Sequence, residues 1–191
     1  MFLKNNYLVV IIFLYVLSCQ PVEIIEPVTF DYSKLDKISI SANEIIINSE
    51  YKPKFSNKNI EDQIPNPPIN IIKEWNNQNI LNFGKENKLI INILDASIIK
   101  QEVNNIEAEK YEEKTVFKYK IFFLVEYELY DNSNFLIANT TVQSSRSTTS
   151  KKYISLNERD IVINNLLHDA LKDFIKETKS MMSTYMFGYI Q

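Results

Sequence analysis

The stretch FKYKIFFLVEYEL, residues 117–129, decides how this chain folds. Its odd positions, Phe117, Tyr119, Ile121, Phe123, Val125, Tyr127 and Leu129, are all apolar, while Lys118, Lys120, Glu126 and Glu128 mark the even ones. A period of two belongs to an extended strand whose alternate side chains point to opposite faces, so one face of this strand must be buried. Residues 131–134, Asp-Asn-Ser-Asn, are turn chemistry, because Asp and Asn side chains bond nearby backbone and tolerate left-handed conformations. Residues 135–150 then return as a more polar, Ser- and Thr-rich strand. The pair predicts one long antiparallel hairpin.

The apolar face of the hairpin needs a cover of matching length, and the chain supplies one immediately afterwards. Ser155, with Glu158 three residues on, is a capping box. Ile163, Leu166, Leu167, Ala170, Leu171, Phe174, Thr178, Met181, Met182 and Tyr185 then recur at spacings of three and four, one apolar stripe on a long helix. Upstream, Ile71, Ile72, Trp75, Ile80, Leu81 and Phe83 fit a second, rougher helical stripe, with Gly84 where a C-terminal cap is expected. Leu89, Ile91 and Ile93 alternate as a strand that continues through Asp95-Ala96-Ser97-Ile98-Ile99, and residues 37–41 and 44–48 are two short β-branched strands. Residues 51–68 hold Pro53, Pro65, Pro67 and Pro68, too many for a central strand or a helix interior, so this segment is a loop. The expected architecture is an α+β two-layer sandwich, an antiparallel-rich sheet with a long hairpin covered on one face by two helices.

The amino terminus has a separate logic. Lys4 precedes an apolar run over residues 7–17, followed by Ser18 and Cys19, the order of a secretory signal peptide. The run is about half the roughly 20 apolar residues that a spanning helix needs. Residues 16–19, Val-Leu-Ser-Cys, resemble the lipobox of bacterial lipoproteins. That resemblance implies cleavage before Cys19, fatty acyl chains such as palmitate on the cysteine, and acylation of the new amino terminus; two or more acyl chains are what stable anchoring requires. Gln20, rather than Asp, after the cysteine implies the periplasmic face of the outer membrane in the sorting pattern of that family. The expected organisation is a signal peptide over 1–18, a lipidated tether over 19–35 with Pro21 and Pro27, and a single domain over 36–191.

Composition narrows the function by exclusion. The chain of 191 residues has a formal net charge of −3, without the Lys and Arg excess that nucleic-acid binding draws on. It holds 2 glycines, which rules out the common glycine-rich phosphate loops. Cys19 is the sole cysteine, so no internal disulfide can form, and a lipidated Cys19 cannot serve Cys–His catalysis. The one histidine, His168, falls on the polar side of the last helix, away from any Ser or Asp partner the sequence can name. Glu107, Glu109, Glu112 and Glu113 are interleaved with Lys110 and Lys114, a solvated hairpin loop rather than a metal site. Trp75 belongs to a helix stripe and is expected in the core. No metal and no cofactor is expected.

Two features remain. Asp95 interrupts an apolar strand; a carboxylate-dependent envelope enzyme would need it beside a second acid, whereas an edge position or a satisfied hydrogen bond is the ordinary explanation. Phe122 and Leu124 stand on the even face of the hairpin strand, away from the expected helix layer. Either the proline-containing loop folds over them or they lie on an open face that receives a partner strand or an apolar ligand. Short motifs, Pro67-Pro68, Trp75, Gly84, residues 93–97, Arg146-Ser147 and residues 156–159, resemble a group of small proteobacterial lipoproteins of unknown function, a group that supplies no catalytic residue. The order of elements is similar to auxiliary lipoproteins of ABC lipid transporters and to the lipoprotein that helps assemble lipopolysaccharide. The expectation is a non-enzymatic lipoprotein binding a partner protein or lipid in the envelope, with a ligand-free structural spacer as a further alternative.

Overall fold

The computed structural model describes residues 30–191 apart from Phe55 and Glu107. The signal-like segment and Cys19 lie outside the described residues. The elements run β1 (Ile38–Ile40), β2 (Glu44–Ser49), α1 (Pro68–Asn79), β3 (Ile80–Asn82), β4 (Lys88–Asn104), β5 (Thr115–Tyr130), β6 (Leu136–Ser150) and α2 (Leu156–Tyr185). The main sheet has 4 strands in the order β2-β4-β5-β6, and β1 pairs β3 in a separate 2-stranded ladder. The chain is an α+β sandwich, with both helices on one face of this mixed sheet.

The hairpin β5–β6 is where alternation places it, with Phe123 opposite Ser144 and Val125 opposite Val142. Asp131 closes its turn by accepting from the N–H of Ser133 at 2.8 Å and of Phe135 at 2.9 Å, while Asn134 takes φ 61°. The odd residues from Tyr119 to Leu129 are buried against the helices. Phe174 of α2 stands edge-on to both Phe123, at 5.6 Å between centroids, and Trp75 of α1, at 5.8 Å. One aromatic joint therefore ties both helices to the sheet. A buried polar node lies beside it: Tyr127 donates its hydroxyl to Asn76 Oδ1 at 2.9 Å, and Asn76 donates to the Ile72 carbonyl at 2.8 Å. Burial pushes the Tyr127 phenol upward, so it remains a donor at every physiological pH.

The capping box is complete: Ser155 accepts from the Glu158 N–H, and Glu158 accepts from the Ser155 N–H at 2.8 Å. Trp75 is fully buried, as its stripe predicts.

Three local features differ from expectation. The first helix ends at Asn79, and Ile80–Asn82 is a strand in parallel register with Ile38–Ile40. Asn79 turns the chain by donating its amide to the carbonyls of Tyr32, at 2.9 Å, and Leu35, at 3.0 Å, and β1 offers the next residues a backbone ladder in place of another helical turn. Gly84 is consequently not a helix cap. It is glycine because a β-carbon there would sit 2.7 Å from the Ala42 nitrogen. Finally, β2 runs parallel to β4, as the crossover through α1 permits, so only β4, β5 and β6 are antiparallel neighbours.

Residues 30–35, read from sequence as part of the tether, are laid on the helix layer. Tyr32–Lys34 form a 3-10 turn capped by Asp31, and Phe30, Tyr32 and Leu35 pack against the core.

Candidate functional site

Phe122 and Leu124 come from the strand that carries the core, but they project from its other side. Cross-strand register places the rest of that face. Ile46, Ile90, Glu128 and Asn139 form one row across the four strands, and Asn48, Asn92, Glu126 and Thr141 form the next. Beyond these, Asp95, Leu124 and Gln143 are aligned, then Ser97, Phe122 and Ser145, then Ile99, Lys120 and Ser147. Phe122, Leu124, Ile46, Ile90 and Ile99 are half-buried by neighbours on the sheet and take no part in the core cluster. Among the described residues no helix or loop is stacked on this face. The proline-containing loop does not cover it: Tyr51, Ile60 and Ile64 turn into the core, and Asn59 bridges Ile99 along the edge of β4 beyond the end of β2. Lys100 donates its N–H to Lys58 at 2.7 Å, and Ile60 to Ile98 at 3.2 Å, so the loop extends the sheet edge.

The middle of the open face is polar in a particular way. Asn48 donates to Asn92 Oδ1 at 3.1 Å, and Asn92 donates to Glu128 at 3.2 Å and to Glu126 at 3.4 Å. No Lys or Arg pairs with either carboxylate among the described residues. Partial burial, and after it the Glu128 charge, holds the neighbouring Tyr130 phenol above its usual range. The surface thus offers half-buried apolar side chains beside two carboxylates that lack a cation. Such a surface suits a partner bringing apolar groups and a positive charge.

Asp95 fits the first of its two ordinary explanations, a position at a local edge of the sheet. The register of β4 shifts at Leu94, a β-bulge, so Leu89, Ile91 and Ile93 face the core before it and Ala96 and Ile98 after it. Asp95 emerges at this phase change, half-buried, just past the last β2 pair, Ser49 with Ile93, where β4 has β5 on one side and no strand on the other until the loop bridges it at Ile99. Its Oδ1 is buried without a hydrogen-bond partner among the described residues. Nearby, where β2 has ended, the buried Glu61 accepts from the Tyr51 hydroxyl at 2.7 Å, from Asn59 Nδ2 at 3.1 Å and from the Ile98 N–H at 3.3 Å. Burial first, then Glu61, then Asp95 push the Tyr51 phenol upward. Glu61 had drawn no notice in the sequence, because an acid inside a proline-containing loop gives no signal of burial. Two of these bonds tie the loop to itself and the third, from Ile98, fastens it to the edge of β4, a structural task.

The remaining sequence candidates are dispersed. His168 is half-exposed on α2, beside the Phe30 ring at 6.3 Å. Glu113 accepts from the Lys152 N–H at 2.8 Å and Glu112 from that of Glu109 at 3.2 Å, and no group of three metal-ligating side chains occurs among the described residues. No helix among them is long and apolar enough to cross a membrane. A groove of about 620 Å³ lies at the far end of the hairpin on the helix side, between Lys58 and Gln63 of the loop and Phe117, whose ring carries Lys100 Nζ 3.8 Å above it.

No protein-family model matches the chain. No curated protein matches its sequence either. Among solved structures it is similar to a minor lipoprotein from Acinetobacter baumannii, at 10% identity and a TM-score of 0.43, over 76% of this chain and 93% of that one. It is also similar to a neuraminyllactose-binding hemagglutinin homolog from Helicobacter pylori, at 11% identity and a TM-score of 0.33, over 82% and 93% of the respective chains. Likenesses at this level are matters of chain path and carry no argument about activity.

Proposed function

We propose that this chain is a non-enzymatic lipoprotein of the bacterial cell envelope, anchored through acyl chains on Cys19 at the periplasmic face of the outer membrane. It binds a partner protein or lipid and serves as an accessory component of envelope transport or assembly. The observation that carries the reading is the uncovered sheet face, on which Phe122, Leu124, Ile46 and Ile90 stand beside the uncompensated Glu126 and Glu128. A face of this kind, opposite a fully packed helix layer, is where a second molecule gains most by burying apolar surface. The competing reading, a carboxylate-dependent envelope enzyme, needs Asp95 and another acid turned toward a common cavity. Glu61 is spent on three donors of its own chain, and Glu126, one row from Asp95 on the open face, accepts from Asn92 and shares no cavity lining with it among the described residues.

Capture of the tagged protein from detergent-solubilised membranes tests the reading. A partner or bound lipid is expected with the parent chain and is expected to be lost with Phe122→Ser plus Leu124→Ser. Recovery of the parent protein alone would count decisively against it. For the anchor, Cys19→Ala is expected to leave an unprocessed or soluble protein; unchanged size and membrane attachment would refute lipidation.

A further inference from the structure

On the helix layer, opposite the open sheet face, α2 and the first described turn enclose a groove of about 370 Å³ with Leu35 and Ile175 in its lining. Four lysines surround it: Lys34, Lys172, Lys176 and Lys179. Two are neutralised locally, Lys34 by Asp31 at 3.0 Å and Lys179 by Asp36 at 3.3 Å. Lys172 and Lys176 have no carboxylate partner among the described residues. The acids that could have served them from α2, Asp169 and Asp173, turn the other way and hold Arg146 of β6 at 3.2 and 2.7 Å. Lys172 and Lys176 occupy positions i and i+4, so one helical edge carries two adjacent uncompensated like charges, an arrangement that costs an isolated helix unless an anion lies against it.

The chain's own path indicates which anion. Phe30, the first described residue, packs beside His168 on the same edge of α2, and Lys34 and Lys172 line the hollow between them. Residues 20–29 link that point to Cys19, and at no more than about 3.5 Å per residue they keep the groove within roughly 40 Å of it. We infer that this lysine edge of α2 docks on the anionic phospholipid headgroups of the membrane that holds Cys19. The inference rests on the proposed anchoring for the position of the bilayer, while the groove's charge is independent of it. Docking this way turns the helix layer toward the lipid and the open sheet face toward the compartment, where a partner can reach it. Each lysine near an anionic surface strengthens binding about fivefold, so losing two lowers it about 25-fold.

The test uses the full chain in vesicles of phosphatidylcholine alone or of equimolar phosphatidylcholine and phosphatidylglycerol. A fluorophore is placed on Ser183→Cys beside the groove or on Ser145→Cys on the open face, with a quencher attached to lipid headgroups. Quenching is expected at Ser183→Cys in the anionic vesicles only, is expected to be absent at Ser145→Cys in both, and is expected to fall with Lys172→Gln plus Lys176→Gln. Equal quenching at the two positions, quenching indifferent to phosphatidylglycerol, or no effect of the double substitution would overturn the inference. Anchoring is scored separately, by vesicle flotation of the parent chain at about 1 M salt, where the Debye length is about 3 Å and charge alone does not hold it. Should flotation fail, recruitment to anionic over neutral vesicles at low salt still decides the groove.

Discussion

Phe122 and Phe123 are adjacent in sequence and differ in almost every physical respect. Phe123 is fully buried and meets Phe174 edge-on, inside a joint that joins both helices to the sheet. Phe122 lies opposite Ser97 and Ser145, half-buried by strand neighbours alone. Apolarity is common to both faces of β5, but only one has a second layer. An apolar side chain on the covered face is explained by folding; one on the uncovered face is not.

The largest effect should therefore come from the covered face. Phe123→Ala removes a ring from a packed aromatic joint, and a loss of about 3–5 kcal/mol is expected in urea unfolding of the parent and variant. Phe122→Ala should cost about 1 kcal/mol or less, since it opens no cavity. Equal losses at the two positions would mean that the open face is covered by something within the fold.

Tyr127→Phe probes the same layer with less volume change. The ring is retained, and Asn76 Oδ1 is left buried without its donor, so a loss of about 1–3 kcal/mol is expected by the same measurement. Asn76→Ala in the Tyr127→Phe background should then cost less than it does alone, because the two share one bond.

Ser155→Ala should cost about 1 kcal/mol by removing the N-cap of α2. It should also alter pH dependence. The Ser155 backbone and side chain hold the Glu158 carboxyl below its usual value of 4.5. A depressed acid contributes stability that is full above about pH 4.5 and is lost as the pH falls through the lowered folded-state value. Acid unfolding of the Ser155→Ala chain should show a shallower dependence below pH 4.5, because the side-chain bond that helps depress Glu158 is gone.

How much of this was legible in the sequence differs between the two faces. The buried face of β5 was plain, because strict alternation over residues 117–129 leaves one reading, and the capping box fixed where α2 begins. Phe122 and Leu124 were legible as residues on the other side, since parity alone assigns them. Pairings over long separations were not legible. Ile80 reads equally well as helix or strand until Ile38 is known to lie beside it, and Gly84 gives no hint of the Ser41–Ala42 backbone it must clear. Asp95 looked like an interruption because a bulge at Leu94 changes the phase of β4, and a one-residue phase shift has no signature in a run of aliphatic residues. The course of the proline-containing loop along an edge rather than over a face depends on the buried Glu61, whose partners are 10 and 37 residues away in sequence at Tyr51 and Ile98.

A small expected effect on stability sharpens the comparison most. Phe122→Ser with Leu124→Ser should leave the unfolding midpoint within about 1 kcal/mol of the parent, because serine on a half-exposed strand face still suits the ladder and no packed layer is disturbed. In the same variant the partner recovered from solubilised membranes should disappear. The converse pair is Ser145→Ala with Ser147→Ala, which lie on the same face in register with Phe122 and Lys120; these should change neither quantity. A variant that unfolds at the parental denaturant concentration yet loses its partner separates recognition from folding. If instead stability fell by as much as with Phe123→Ala while partner recovery persisted, the two faces would have exchanged roles, and the apolar residues of the even face would belong to the fold after all.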